Sequence, residues 1–248
     1  MPLNQLGTAA LSKIITNFGN QGKIFQSEAQ FQFDLAWELK SIYNCTVKLE
    51  EMTAYKVNNN GKTVQKFYTD IVLEDTDYRV ALELKYKTAL YSDQNNNIIL
   101  FDHSAIPLGR YDYLWDVHRI ELVTGIAPAA NNVTVPGQCK CNKGFAVLLT
   151  NESQYWDKQY ISNVNKNKVN KVTIDNQFRI GNQTPMLYST YLDWVPGNNG
   201  SYPPGTVNGT DRAQPIILNT AYYYKWEPYL NNNQQTNGKF NFVIIEIP

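Results

Sequence analysis

Charge is scarce in this chain. Of 248 residues, 22 are Lys or Arg and 22 are Asp or Glu, so the formal net charge is zero. That excludes a basic field over the whole molecule, and any contact with nucleic acid has to rest on local patches. Cysteine is scarcer still: Cys45, Cys139 and Cys141 make an odd set of three, too few for a disulfide framework. Cys139 and Cys141 form a C-x-C in a Gly/Pro/Asn loop, with no second Cys/His pair spaced to complete the roughly four ligands of structural zinc. The two histidines, His103 and His118, stand beside no G-x-S-x-G and no papain-like cysteine signature. Also missing are a G-x-x-x-x-G-K-[ST] phosphate loop and Rossmann glycines, which removes the usual basis for nucleotide-driven or redox chemistry. No apolar run approaches the ~20 residues of a membrane span. The opening stretch MPLNQLGTAALSKIITNFGNQGK lacks the basic start and apolar core of a signal peptide. The expectation is a soluble cytoplasmic protein whose Asn-x-Ser/Thr triplets carry no glycan.

Hydrophobic residues make up 43% of the chain, enough to fill one large core. Residues 3–18 read as a helix closed by Gly19 to Gly22. SEAQFQFDLAWELKSIY reads as a second helix, with Ser27 and Gln30 spaced as a capping box. Its stripe Leu35, Leu39, Ile42 extends back through Gln32 to Glu28, which places Glu28 at the N-terminal end in line with the buried face. CTVKLEEMTAYKV, KFYTDIVL and RVALELKYK read as three strands, with NNNGK as the first turn and NNNIILFD as a further short strand. GRYDYLWDVHRIELVTG reads as an amphipathic helix ended by Gly125, and GFAVLLTN as a strand apolar enough to lie inside a sheet. Beyond Asn151, Asn, Gly, Pro and Tyr dominate until the closing strands AYYYKWEPYL and FNFVIIEIP. The whole, residues 1–248, is expected to be one α+β domain with a mixed sheet.

Within TDIVLEDTDYRVALELKYK an acid, Asp70, interrupts an apolar run. An antiparallel hairpin looping over Asp75 to Tyr78 sets Glu74 opposite Arg79, and the same count sets Asp70 opposite Glu83. Directly opposed side chains stand about 5 Å apart. Lys85 lies two residues past Glu83 and shares its face, while Leu82, Leu84 and Tyr86 go to the other. Two facing carboxylates need a proton or a cation between them. Hard oxygen donors suit Mg²⁺ or Mn²⁺, which polarise phosphate and activate water. Lys85 can then orient or deprotonate the water, or steady developing charge. The plain alternative is a solvated Glu-x-Lys face, with Asp70 ending an edge strand.

A helix Glu, a strand Asp, Glu-x-Lys on the next strand, then a helix and another strand resemble the PD-(D/E)XK nuclease superfamily. The matching residues are Glu28, Asp70, Glu83 and Lys85, with Thr69 where the family often has proline before the acid. The resemblance covers residues 23–151 and implies a restriction-endonuclease-like core, αβββαβ, with a central mixed sheet flanked by helices. Residues 152–248 would be a β-rich extension packed on that core. It implies Mg²⁺-dependent hydrolysis of phosphodiester bonds, in DNA above all, with Mn²⁺ as a substitute. Asp70, Glu83 and the Leu84 backbone carbonyl would hold the metal, Glu28 a second metal or a metal-bound water, and Lys85 would act on the attacking water. Homodimeric assembly is open.

Asp112, Asp116 and Arg119 follow helical spacing. Arg119 could contact a phosphate beside the metal; the acids read as helix support, with Asp116 and Arg119 an i, i+3 pair. AYYYKWEPYL reads as a core strand with alternate aromatics buried, against a stacking surface for single strands. Lys166, Lys168 and Lys171 form the most basic short stretch. The rival to a nuclease is a non-catalytic nucleic-acid- or protein-binding module on the same scaffold.

Overall fold

The computed structural model describes residues 1–103, 105–128, 133–156, 176–180, 186–187, 191–194, 211–232 and 234–248. Its helices are α1 (Thr8–Asn20), α2 (Glu28–Tyr43) and α3 (Ile106–Thr124). Its strands are β1 (Thr46–Val57), β2 (Thr63–Glu74), β3 (Arg79–Lys87), β4 (Tyr91–Ser92), β5 (Ile98–Leu100), β6 (Val133–Thr134) and β7 (Lys143–Thr150), then β8 (Met186–Leu187), β9 (Tyr191–Leu192), β10 (Ile216–Ile217), β11 (Tyr222–Tyr223), β12 (Trp226–Asn231) and β13 (Lys239–Ile247). Seven strands build the central sheet in the order β12-β13-β7-β3-β2-β1-β6. β1, β2 and β3 form an antiparallel meander, β3 runs parallel to β7, and β13 returns antiparallel. The fold is α+β with a mixed sheet, as the sequence pattern implies.

Local chemistry accounts for the boundaries. The Ser27 hydroxyl caps α2 by accepting from the Gln30 amide. The Gln30 side chain, however, accepts from Gln26 rather than from Ser27, one residue earlier than in a capping box. Gly125 ends α3 at φ 82°, a conformation that favours glycine. Asp75 closes the β2–β3 turn by accepting from the amides of Asp77 and Tyr78. The expected first helix is shorter: Leu3–Gln5 is a 3₁₀ turn and α1 begins at Thr8. There Glu246 of β13 accepts from both the amide and the hydroxyl of Thr8, a carboxylate meeting the helix's free N–H end. NNNIILFD contributes β5, which pairs with β4 outside the main sheet. All three cysteines are free and buried.

Two cores flank the sheet. On one side Leu82, Leu84 and Tyr86 pack with Leu35 and Leu39 of α2 and Leu11 and Ile15 of α1. On the other, Ala146, Leu148, Val243 and Ile245 pack with α3. α3 was expected to be amphipathic, yet consecutive residues such as Tyr113 and Leu114, or Asp116 and Val117, are buried. The C-terminal segment covers the helix face turned from the sheet: Tyr111 stacks on Trp194 and meets Phe178 edge-on. The described residues after Asn151 therefore contribute to the core, and they also supply β12 and β13 of the sheet itself. In AYYYKWEPYL the alternation holds: Tyr222, Tyr224 and Trp226 are buried while Tyr223 is 75% exposed. The lysine stretch with Lys166, Lys168 and Lys171 lies outside the described residues.

Buried Glu121 of α3 fastens that covering segment. It accepts from the Tyr222 hydroxyl at 2.6 Å and from the amide and side chain of Asn219 at 2.8 and 3.1 Å. Burial alone would raise its pKa, but His118 nearby at 3.8 Å and the hydrogen bonds from Tyr222 and Asn219 outweigh it and hold the carboxyl below its usual range. A lowered carboxyl stabilises the fold above its unfolded pKa, and the benefit disappears as pH falls through the folded one. Glu121→Gln should therefore be less stable than wild type at pH 7, by about 1–3 kcal/mol. The difference should shrink on acidification below about pH 4, as chemical denaturation at a series of pH values would show.

Gly19 of α1 lies where an added Cβ would collide with the Tyr229 carbonyl oxygen on β12. Gly19→Ala should force helix and strand apart, lowering stability by about 1–3 kcal/mol. Thermal melts should show Gly137→Ala, where nothing lies within 4 Å, close to wild type.

Candidate active site

The β2–β3 ladder runs from Glu74↔Arg79 to Ile71↔Leu82, the expected register, and then stops. Asp70 is thus not a ladder partner of Glu83. β2 keeps following β1 instead, with Thr69↔Glu51 next in register, and Glu50, across from Asp70, has φ 50°. As the strands part, two amides of β3 lose their β2 acceptors and carboxylates take over. Asp70 Oδ2 accepts from the Leu84 N–H at 2.6 Å, and Glu28 Oε2 accepts from the Tyr86 N–H at 2.6 Å. Buried amides are rarely left unpaired, so these bonds fix both acids at the strand fork. Gln32, one turn after Glu28, donates to the Asp70 carbonyl at 2.6 Å and to Glu50 at 2.9 Å.

Strand alternation turns Glu83 and Lys85 toward α3, away from the layer holding Leu82, Leu84 and Tyr86. There α3 meets them with a charged pair. Lys85 Nζ lies 2.7 Å from Asp116 Oδ2. Arg119 Nη2 lies 2.9 Å from Glu83 Oε1, and its Nη1 lies 3.3 Å from Asp116 Oδ1. Arg119 also donates to the Tyr68 carbonyl on β2. The Leu84 carbonyl accepts from Lys85 Nζ at 3.3 Å.

Six ionisable groups therefore meet at the fork: the acids Glu28, Asp70, Glu83 and Asp116 against the cations Lys85 and Arg119. If all were ionised, two negative charges would be left over. Burial is the main cause lifting Asp70 to about 7, partly opposed by Lys85 and the Leu84 amide and reinforced by Asp116 and Glu28. Burial also lifts Glu83 well above the carboxylate range, against the pull of Arg119. Lys85 goes up as well: burial would lower it, but Asp116 and Glu28 outweigh that, so it stays an ammonium.

A proton or a divalent cation would relieve this imbalance. Glu83 is 1% exposed and neither of its oxygens accepts a hydrogen bond. Its charge partner is Arg119 at 2.9 Å, and with Asp70 and the Leu84 carbonyl it offers hard oxygens of the kind Mg²⁺ or Mn²⁺ takes. Among the described residues, no group of three or more His, Cys, Asp or Glu is placed so that it could by itself hold a metal ion.

The structure brings Asp70, Glu83, Lys85, Glu28, the Leu84 carbonyl and Arg119 together. Sequence reasoning undervalued two residues. Asp116 does pair with Arg119 at i, i+3, but it also grips Lys85; its signal was an acid within a helix otherwise rich in apolar residues. Gln32 was seen on the buried stripe without a role, and here it braces the Asp70 backbone.

An acid whose pKa is raised by folding weakens the fold as pH climbs from its unfolded to its folded value. For Asp70 that window runs from 3.8 to about 7. Asp70→Asn keeps an oxygen for the Leu84 amide and removes the charge. In metal-free buffer its melting temperature should exceed wild type by a few degrees at pH 8. The gain should fade toward pH 4.

No family model matches the chain, and comparisons with curated proteins and with solved structures give no match either.

Proposed function

We propose that the protein is a metal-dependent nuclease of the PD-(D/E)XK type, hydrolysing phosphodiester bonds in DNA. The observation that carries this reading is the fork itself: Asp70 on the departing strand, with Glu83 and Lys85 beside it on the continuing one. The element order α2, β1, β2, β3, α3, β7 supports a restriction-endonuclease-like core over residues 23–151, with a parallel β3–β7 pair at its centre.

Asp70, Glu83 and the Leu84 carbonyl would hold Mg²⁺, with Mn²⁺ as substitute. When bound, the ion would polarise the phosphate and lower the pKa of the attacking water. The chain's own groups do the rest. Asp116, 2.7 Å away, keeps Lys85 charged and aimed. Lys85 therefore serves as a cation that orients the water and steadies the charge growing on the phosphate, rather than as a base. Glu28, bonded to the Tyr86 amide, anchors the N-terminus of α2 at the fork and can accept from a metal-bound water.

A non-catalytic binding module has one observation in its favour: both cations of the cluster are already occupied by carboxylates, with no three-carboxylate cage among the described residues. One assay separates the two readings. Plasmid, single-stranded DNA and RNA are incubated with the protein in Mg²⁺, Mn²⁺ or EDTA. Nuclease action predicts metal-dependent cleavage, stopped by EDTA and reduced about 10²–10⁴-fold by Asp70→Ala or Lys85→Ala. Cleavage that survives Asp70→Ala refutes this site, and retention in a gel shift without cleavage favours the binding module.

A further inference from the structure

Arg119 is the cation that faces Glu83, one of the groups that would hold a metal. Its guanidinium supplies charge to Glu83 at 2.9 Å, yet its directed hydrogen bonds go to the Tyr68 carbonyl and to Asp116, and neither Glu83 oxygen receives one. The guanidinium is also held by Asp116 at 3.3 Å, an acid it shares with Lys85. Arg119 therefore has footholds on α3 and β2 that do not involve Glu83. It can give up Glu83 without leaving the site. Its side chain keeps 19% exposure, so it borders the solvent from which a substrate arrives.

We propose that Arg119 is an exchangeable counter-ion of Glu83: a divalent cation bound at Asp70 and Glu83 displaces it, and the released guanidinium turns to a substrate phosphate. This rests on the metal-site reading above. Charge balance drives the exchange, since the fork holds more acid than base and a divalent ion satisfies Glu83 better than an undirected monovalent contact. A guanidinium suits the second task because its planar donors match phosphate oxygens. The exchange would also couple the two ligands: metal arrival frees the group that receives the phosphate.

The test is Mn²⁺ binding to the full chain at one fixed pH, read from the electron paramagnetic resonance of free Mn²⁺, without any nucleic acid. Removing the competitor in Arg119→Gln should tighten binding about 5–150-fold. Arg119→Lys, which keeps a cation against Glu83, should stay near wild type. Thermal melts establish that each variant is folded. A second readout needs no variant of Arg119: in the wild-type chain, the Arg119 Nε–H resonance should shift in step with Mg²⁺ occupancy. Equal Mn²⁺ affinity in wild type and Arg119→Gln, or an Arg119 resonance indifferent to bound Mg²⁺, overturns the exchange and leaves the metal site standing. Tightening that persists when Asp70→Ala is added places the ion elsewhere and also overturns it. No Mn²⁺ binding by any variant removes the exchange and the metal site together.

Discussion

The candidate site depends on one exchange of hydrogen-bond acceptor. Where β2 leaves β3, the Leu84 N–H passes from the backbone ladder to the carboxylate of Asp70. A buried amide without a partner is expensive, so the acid is as structural at this point as a strand carbonyl would be. One turn of the pleat further on, Glu28 does the same for Tyr86. Had the ladder continued, carbonyls would fill the gap and no carboxylate would be anchored there. The fork thus gathers carboxylate oxygens where an ordinary hairpin would place backbone carbonyls.

The rest of the molecule makes that place electrostatically tense. α3 lies between the sheet and the C-terminal segment, so its Asp116 has little water to turn to, while Arg119 stands at the edge of the cluster. They meet Lys85 and Glu83 of β3, and the resulting cluster carries more acid than base. Burial raises the pKa of Asp70 and Glu83 rather than letting solvent screen them. A fold under selection for stability alone would gain by replacing such groups with apolar ones. Perturbed acids gathered at one point are a mark of functional sites, and the chemistry proposed here gives them a use.

Much of this was legible from residues alone, for identifiable reasons. The β2–β3 register followed from the length of the Asp75–Tyr78 turn, and the face shared by Glu83 and Lys85 from the period of two. Ser27 announced the start of α2, and the stripe through Leu35 and Leu39 located Glu28. What was hidden depended on tertiary context. No local pattern tells that β2 abandons β3 after Ile71 while it stays paired with β1. α3 looked amphipathic because its second apolar surface is covered by a segment more than fifty residues away in sequence. Asp116 passed for helix support because an i, i+3 pair says nothing of a lysine on a neighbouring strand. The region after Asn151 looked like an addition, but two of its strands extend the central sheet.

The central claim is that the gap between Asp70 and Glu83 holds a divalent ion. Crystals soaked in Mn²⁺ and measured at the manganese absorption edge address it most directly. The account predicts an anomalous peak within ligating distance of both carboxylates and the Leu84 carbonyl. A fully substituted Mn²⁺ site elsewhere, with Arg119 still seated on Glu83 and no peak at the fork, would contradict it.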